Sequence, residues 1–371
     1  MLAKSKLLKT PWLELAIMLV AVLLSHIGLA IVSMLAQTPY PGEMSTQTIA
    51  LWLTGLFLIS FAIAIVTVIA GIGGGVIFTP IMMAFTPINS VVIRATGLIV
   101  AMFSGLISTG LFLRKGLGHF KMCIVLVVSQ GLGALLGAQS AISTAQNLGE
   151  FGEGAIRIAL GVILVIVAAY FFTGAKRLEW PSVGHVDALT KWMKLEHTYR
   201  EQSDGKVYTY KITRITLGLV LVLVVGFIGG FFGMGAGWAL TPVQNLALGV
   251  PLKAATANSG IILSMVGCVS IWPYMLAGGI IPLFVLPLLS GQVVGGLVGA
   301  IVMVRVRVSI VRIILIGIMV FTSFGLVTDG LTTLDMISRM PSRVSLVIFI
   351  LVMAASMFAV FRMRKKEAGG D

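Results

Sequence analysis

The sequence predicts an all-α polytopic membrane protein built from two inverted repeats, each a glycine-broken hairpin followed by three transmembrane helices, with one flanking helix at each end. Hydrophobic residues make up 58% of the 371 positions and charged residues only 11%, whereas soluble proteins carry about 25% charged residues. A glycine-rich motif recurs at a fixed spacing, and the basic residues gather at the ends of apolar stretches. Together these observations predict a membrane protein made of repeats.

Apolar stretches of about 20 residues, enough to cross about 30 Å of hydrocarbon, follow one another along the chain. They cover 11–36, 48–70, 90–113, 120–142, 154–173, 213–232, 254–277, 282–304, 308–328 and 345–361. The first stretch has a basic start like that of a signal peptide, but it is too long and lacks a small-residue cleavage site. We therefore interpret it as a retained flanking helix.

This succession divides the chain into regions. They are expected to be a flanking helix in 1–47, repeat 1 in 48–174, a cytoplasmic linker in 175–212, repeat 2 in 213–330, and a last helix with a basic cytoplasmic tail in 331–371. Inside the linker, the apolar residues from Asp187 to Arg200 are spaced for a short amphipathic helix on the membrane surface. A plain connection between the repeats is the simpler interpretation of the linker as a whole.

The glycine-rich motif occurs once in each half. The segment Gly71-Ile72-Gly73-Gly74-Gly75, followed by Thr79-Pro80, recurs as Gly233-Met234-Gly235-Ala236-Gly237, followed by Thr241-Pro242. The same spacing joins Gln130 to Gln292, since 233 minus 71 and 292 minus 130 both give 162. Paired apolar segments interrupted by Gly and Pro are the best sequence indication of a transporter's binding site. The segments after the glycines, 76–85 and 238–248, are too short to cross the bilayer comfortably, which predicts hairpins.

The distribution of Lys and Arg sets the expected orientation. If the N-terminus is cytoplasmic and each glycine-rich segment crosses an even number of times, the basic residues at 114–121, 176–214 and 362–366 all face the cytoplasm, as the positive-inside rule requires. Each repeat then has an odd number of full spans, so the repeats are inverted and their glycine-rich tips can meet near the midplane. We expect a multi-pass membrane protein with both termini in the cytoplasm. The formal charge of +13 follows from this arrangement and does not indicate nucleic acid.

The predicted interior suits an anion. All thirteen Asp and Glu residues lie in loops, tails or span ends, whereas carriers of cations place carboxylates inside the bundle. Consecutive glycines let the backbone approach a ligand, and the helix that follows presents unpaired N–H groups and a partial positive charge. The alternative is that these glycines only allow helices to pack closely. The candidate substrate-binding residues are Gly71, Gly73, Gly74, Gly75, Thr79, Arg94, Thr96, Gln130, Gly233, Gly235, Gly237, Thr241, Gln244, Asn258, Ser259 and Gln292.

Some interior side chains allow two interpretations. Arg94, in the opening turns of the span after the first hairpin, either attracts the anion or extends outward to the membrane surface. His26, deep in the first span, is the candidate for proton coupling because it can titrate near neutral pH, and a neutral, hydrogen-bonded His is the alternative. Gln130 and Gln292 either hold helices together or donate hydrogen bonds to the ligand.

Cys123 and Cys268 lie inside apolar stretches at non-equivalent repeat positions. Neither a disulfide nor a metal site is therefore expected, and both are interpreted as small buried residues. Trp52, Trp272 and Tyr274 are interpreted as anchors at the membrane interface. No cofactor is predicted.

The Gly-x-Gly-Gly-Gly-x-x-x-Thr-Pro segment, its degenerate second copy, and a Gly-x-x-x-Gly-Ala pattern at 133–138 and 295–300 resemble the TauE/SafE family of sulfite and organosulfonate exporters. The resemblance extends over about 51–328. It implies a polytopic inner-membrane permease for small sulfur-containing or organic anions such as sulfite, sulfoacetate or other sulfonates. The chain departs from the family pattern at Ala236 and at the bulky Trp238.

The sequence therefore predicts a secondary transporter that exports sulfite or a sulfonate. One alternative is an uptake permease for the same anions, and another is a non-transporting membrane scaffold or sensor that uses the linker. An enzyme is not expected, because no nucleophile–base pair or metal-ligand cluster occurs at interior positions. The expected partners are the small anion and the lipid bilayer, without nucleic acid, and formation of a homo-oligomer is left open.

Overall fold

The structure, a computed structural model, describes residues 46–70, 72–86, 88–114, 116–173, 186–200, 207–303 and 308–337, with isolated positions between 16 and 27. The predicted flanking helices therefore lie outside the described residues, apart from those isolated positions. The coupling candidate His26 and the site candidate Gly71 also lie outside them.

The first half forms three long helices and one short one. They are α1 (Thr46–Ala70), α2 (Gly75–Phe85), α3 (Ser90–Arg114) and α4 (Phe120–Thr173). The 11 residues of α2 make a helix about 16 Å long. It is too short to cross a bilayer, as the sequence predicted for the segment after the first glycines.

The fold is mostly helical, as predicted, but the linker folds into a short helix and a β-hairpin, so the helix expected over 187–200 forms only in its first part. The helix α5 (Ala188–Met193) has only six residues. It is followed by β1 (Glu196–Arg200), which pairs antiparallel with β2 (Val207–Lys211). Aromatic and β-branched residues alternate along both strands and face each other across them, which stabilises a sheet. This two-residue period outweighs the helical spacing of the apolar residues.

The second half repeats the order of long and short helices. It contains α6 (Ile215–Phe232), α7 (Gly237–Pro242) with a following π-helical turn (Val243–Ala247), α8 (Leu252–Ser270), α9 (Trp272–Leu276), α10 (Pro282–Met303) and α11 (Val308–Thr333). Within the described part of the chain, six helical stretches, in α1, α3, α4, α6, α8–α9 and α10, are long and apolar enough to cross a membrane. The protein is therefore a mostly helical, polytopic membrane protein.

Two boundaries differ from the predicted ones. The stretches 120–142 and 154–173 are joined in the single run α4, which breaks at Gly149 (φ 52°, ψ −131°). Glycine adopts a positive φ at little cost, so the chain turns there without a separate loop. The stretch 254–277 instead divides at Ile271 into α8 and α9, just before Pro273, which has no N–H to continue the first helix.

Helices of one half pack against helices of the other. The helix α1 packs along α10, while α4 packs along both α6 and α11. A methyl group built on Gly133 would lie 2.1 Å from the carbonyl oxygen of Leu223, and one built on Gly295 would lie 2.3 Å from that of Phe61. These contacts are equivalent with the halves exchanged, because 295 minus 133 and 223 minus 61 both give 162. The Gly-x-x-x-Gly-Ala patterns are thus confirmed as sites of close helix packing.

Candidate functional site

The two glycine-rich tips lie in direct contact. We call residues 72–75, between α1 and α2, the first tip, and residues 233–237, between α6 and α7, the second tip. Thr79 Oγ1, on α2, donates a hydrogen bond of 2.7 Å to the carbonyl oxygen of Gly233. The segment after the first motif therefore helps to hold the tips together.

The contact between the tips is made by backbone atoms. A methyl group built on Gly75 would lie 2.7 Å from the carbonyl oxygen of Met234, and one built on Gly237 would lie 2.4 Å from that of Ile72. Gly73 and Gly235 have φ of 83° and 71°, a region that other residues rarely adopt. The tips thus need glycine both for their conformation and for their mutual approach.

Gln292 presents an unpaired donor to the first tip. Its side chain is fully buried, and its Oε1 lies 3.3 Å from Ser60 Oγ. Its Nε2 has no hydrogen-bond partner among the described residues, and a methyl group built on Gly74 would lie 2.7 Å from it. Buried side-chain donors are nearly always paired, so this amide is the clearest indication of a ligand position at the tips.

Gln130, the repeat equivalent of Gln292, lines a narrow cleft beside the second tip. The cleft is bounded by Gly235, Ala236 and Ser270 among others, and it has space for about one water molecule. Gln130 Oε1 is buried and has no partner among the described residues. The two halves of the site therefore differ, because one presents an amide N–H and the other an amide oxygen.

The polar residues of the second half bond mostly to one another. Ser259 Oγ lies 3.0 Å from Thr241 Oγ1 and accepts a hydrogen bond of 3.0 Å from Gln244 Nε2. In the first half, the residue facing Thr79 is Gly97, where an added methyl carbon would lie 1.8 Å from Thr79 Oγ1. Since 259 minus 97 gives 162, Gly97 is the repeat equivalent of Ser259, and sequence reasoning missed it although the offset pointed to it.

Two candidate residues make their contacts elsewhere. Thr96 Oγ1 donates to the carbonyl oxygen of Val92 inside its own helix, at 2.8 Å. Asn258 Oδ1 accepts a hydrogen bond of 2.8 Å from the backbone N–H of His119 and lies 3.5 Å from Cys123 Sγ. Asn258 thus faces the loop before α4, which the linker covers.

Arg94 is completely buried, so the expectation that it extends outward to the membrane surface is wrong. Its Nη2 lies 3.4 Å from Glu153 Oε2, on the arm of α4 that follows Gly149. Its backbone packs on the second tip, since a methyl group built on Gly233 would lie 2.3 Å from Arg94 Cβ. Sequence reasoning left Glu153 among the loop carboxylates, and only the fold brings it to the site.

Two further interpretations require correction. Tyr274 is not an interface anchor, because its side chain is fully buried and its hydroxyl donates to the carbonyl oxygen of Gly230 at 2.8 Å. It therefore stabilises the end of α6 beside the second tip. Cys268 is exposed rather than buried, while Cys123 is buried as expected, and both are free thiols.

The linker is attached to the helical bundle by polar and aromatic contacts. The ring of His197, on β1, stacks on that of His119 with centroids 4.9 Å apart, and its Nε2 lies 2.9 Å from the carbonyl oxygen of Gly116. Burial, with the nearby His197 and Lys121, lowers the pKa of His119 to about 4. The buried imidazole therefore stays neutral at physiological pH.

Asp187 fixes the start of α6. Its carboxylate accepts hydrogen bonds from the backbone N–H of Ile215 at 3.2 Å and from the hydroxyl of Thr216 at 2.7 Å. Although partial burial opposes ionisation, the hydrogen bonds from Thr216 and Thr190 hold the pKa of Asp187 well below its usual value. A carboxylate at a helix N-terminus is favourable also because of the helix dipole.

Comparisons with known proteins identify a family and a relative. A family model described as sulfite exporter TauE/SafE matches residues 56–326. The chain is also 26% identical over 272 residues to a protein of Bacillus subtilis (strain 168) named probable membrane transporter protein YunE, a match that covers 70% of this chain and 92% of that relative. No solved structure matches the chain.

Proposed function

Because the chain belongs to the sulfite exporter TauE/SafE family, a family of membrane transporters, we propose that it is a secondary transporter that carries sulfite or a related sulfonate out of the cell. The substrate is a small anion whose oxygen atoms accept hydrogen bonds. Its binding site is formed by the two tips and the side chains around them.

The observation that carries this proposal is the unpaired amide of Gln292 at the first tip. An N–H group that is buried without an acceptor costs free energy, and an oxyanion that accepts a hydrogen bond from Gln292 Nε2 would remove that cost. The tips themselves, 72–75 and 233–237, contain no Asp or Glu. The tips therefore offer donors rather than the carboxylates that a cation would need, and Glu153, which lies beside the second tip, is paired with Arg94.

The exchange of equivalent contacts between the halves supports an alternating-access mechanism. We propose that 48–174 and 213–330 are inverted repeats that rock against each other around the tips, as in other transporters of this construction. The termini and the linker 175–212 lie in the cytoplasm in this scheme, and the flanking regions 1–47 and 331–371 each contribute one helix. A bacterial inner membrane is the expected location. Its inside-negative potential would favour the exit of an anion.

Flux in proteoliposomes tests the proposal. Wild-type protein should transport sulfite or a sulfonate, and Gln292→Glu should reduce this flux at least about tenfold, because it replaces the N–H donor by a carboxylate that repels the anion. Gln146→Glu is the matched control, since Gln146 is exposed on α4, and it should transport normally. Equal flux through both variants would contradict a site at Gln292.

The same assay separates the alternatives. A potential of about 100 mV is worth about 2.3 kcal/mol per charge, so an inside-negative potential should accelerate net export of a singly charged anion. Net flux only into the negative compartment, driven by an imposed ion gradient, would indicate an uptake permease. Absence of flux for sulfite, sulfoacetate, thiosulfate and taurine would favour a scaffold or sensor.

A further inference from the structure

The ion pair between Arg94 and Glu153 lies directly beside the second tip. The Arg94 side chain is completely buried, whereas Glu153 retains 22% of its side-chain exposure. Ser90 Oγ donates a hydrogen bond to Glu153 Oε1, so the carboxylate is held between a hydroxyl and a guanidinium. A buried guanidinium needs a counter-charge, and Glu153 supplies it.

This ion pair is incomplete on the Arg94 side. Only Nη2 approaches Glu153, at 3.4 Å and 3.5 Å from its two carboxylate oxygens, whereas close charge-assisted hydrogen bonds measure about 2.7–2.9 Å. The Nε and Nη1 atoms of Arg94 are buried and have no partner among the described residues. These atoms carry three of the five guanidinium N–H groups, so most of the donor capacity of Arg94 is open to another acceptor.

We propose that Glu153 is a tethered anion that occupies Arg94 in the absence of substrate, and that the transported oxyanion displaces it. The proposal rests on the proposed anion-transport function. Two negative charges beside one guanidinium repel each other strongly in a site of low dielectric. Binding of an oxyanion at Nε and Nη1 therefore favours departure of the Glu153 carboxylate.

The surroundings of Glu153 allow this departure. Its side chain is partly exposed and so has room to move, while Arg157, on the same arm of α4, is paired with Asp329. The hydroxyl of Tyr274 donates to backbone carbonyls of α6, and Tyr274 also interacts with the side chain of Arg94. The released carboxylate can therefore turn away from Arg94 toward Arg157, which lies within electrostatic reach of Glu153 and whose buried Nε has no hydrogen-bond partner among the described residues. Glu153 then sets the affinity for the anion without contacting it.

Binding of sulfite to the purified full-length protein, measured by calorimetry at constant ionic strength, tests the proposal. Glu153→Gln removes the competing charge and should tighten sulfite binding about tenfold. Glu150→Gln is the matched control, because it removes an exposed carboxylate on the same arm of α4, and it should leave the affinity unchanged. Adding Arg94→Gln to Glu153→Gln should abolish the gain.

A second variant and a direct readout complete the test. Ser90→Ala removes the hydroxyl that holds Glu153 Oε1, so it should tighten sulfite binding about two- to threefold while keeping every charge. In the wild-type protein, saturating sulfite should increase the rate at which a water-soluble carbodiimide modifies Glu153, as measured by peptide mass mapping. A purely structural ion pair would show neither effect.

The outcomes separate the two proposals. If wild-type protein binds sulfite but Glu153→Gln and Ser90→Ala bind it no more tightly, the displacement is wrong and the anion site stands. A gain for Glu150→Gln equal to that for Glu153→Gln would also overturn it, because the effect would then be one of general charge. If neither the wild-type protein nor Glu153→Gln binds any oxyanion tested, the transport function itself fails.

Discussion

The two tips approach each other so closely that one carbon atom added to a glycine would prevent their contact. Gly97, Gly75 and Gly237 each face a backbone or side-chain oxygen at a distance that an added methyl group would not allow. Gly97 has the least space of the three. The Thr79 hydroxyl occupies the position where a side chain at residue 97 would begin, and from there it donates its hydrogen bond to Gly233 in the second tip. The close packing and the proposed binding site therefore depend on the same small residues.

We expect Gly97→Ala to destabilise the protein and to abolish anion flux. The added methyl carbon would lie 1.8 Å from Thr79 Oγ1, so Thr79 must move and lose its hydrogen bond to Gly233. Overpacking of this kind costs about 1–3 kcal/mol, which a lowered melting temperature in detergent would reveal. Gly55→Ala is the control: it also lies inside a helix, but no atom lies within 4 Å of its added carbon. A stable, active Gly97→Ala protein would contradict the tip geometry.

At the level of residues, the 162-residue offset led to several of the predicted positions, although it also pointed to Gly97, which was missed. The offset identified Gln130 and Gln292, which lie buried beside the two tips. Glu153 is separated from Arg94 by 59 residues, and no periodicity links them. Such a pair is formed only by the turn at Gly149 and the packing of α4, which lie beyond local sequence patterns.

Among the elements, the linker hairpin departs most from expectation, because it is folded onto the bundle rather than extended between its halves. Tyr199, Tyr210 and Leu195 are buried against the beginning of α4 and the end of α8 nearest to it. His119 is part of this contact, next to Asn258. The hairpin therefore covers one end of the helices that carry the predicted binding residues.

We expect the docking of the hairpin to weaken in acid. The folded-state pKa of His119 is lowered from 6.5 to about 4, so the undocked state binds a proton more readily. The stability of docking is then complete above about pH 6.5 and is lost as the pH falls from 6.5 toward 4. The ¹⁹F NMR line of fluorotyrosine at Tyr210 should report undocking in this range.

His119→Gln is the comparison for this titration. Glutamine is polar but does not titrate, so the line of the fluorotyrosine should lose its pH dependence between pH 6.5 and 4. A transition of equal size in this variant would assign the effect to another group.

Elements with a strong single pattern were predicted well from the sequence. The long apolar stretches that became α1, α3, α6 and α10 agree closely with the helices in the structure, because burial in lipid requires about 20 apolar residues whatever the tertiary context. The linker strands were not predicted, because the apolar residues of this short segment fit both a helical and a strand period. Cross-strand pairing of Tyr199 with Tyr208 decided between them.

On the scale of the whole molecule, the halves are interlocked rather than side by side. The helix α1 pairs with α10 and α6 pairs with α4, so each half completes its packing only with helices from the other. The sequence predicted two related halves, but it could not predict this exchange of partners, since a repeat spacing carries no information about which copies touch. The inverted orientation of the halves stays a prediction.

Cysteine labelling tests that orientation. In a protein with Cys123 and Cys268 replaced, a cysteine at Gly149 should react with an impermeant thiol reagent added to intact cells. A cysteine at Gly205 should react only after the cells are opened. Labelling of position 205 from outside would contradict the inverted repeats, and labelling of neither site before or after opening would show the positions to be buried.

The hydrogen bond from Ser60 to the carbonyl oxygen of Leu288 spans 228 residues of chain. At a synthesis rate of about 5–20 residues per second, the ribosome needs about 10–45 s after making Ser60 before its acceptor exists. During that interval α1, which contains no charged residue, must wait in the bilayer without its partner helix. The hydroxyl of Thr67 can bond at once to the carbonyl oxygen of Ile63 in its own helix, whereas the acceptor that Ser60 has in the folded protein, Leu288, has not yet been synthesised. During this interval α1 is exposed to lipid, to insertion factors and to quality-control proteases.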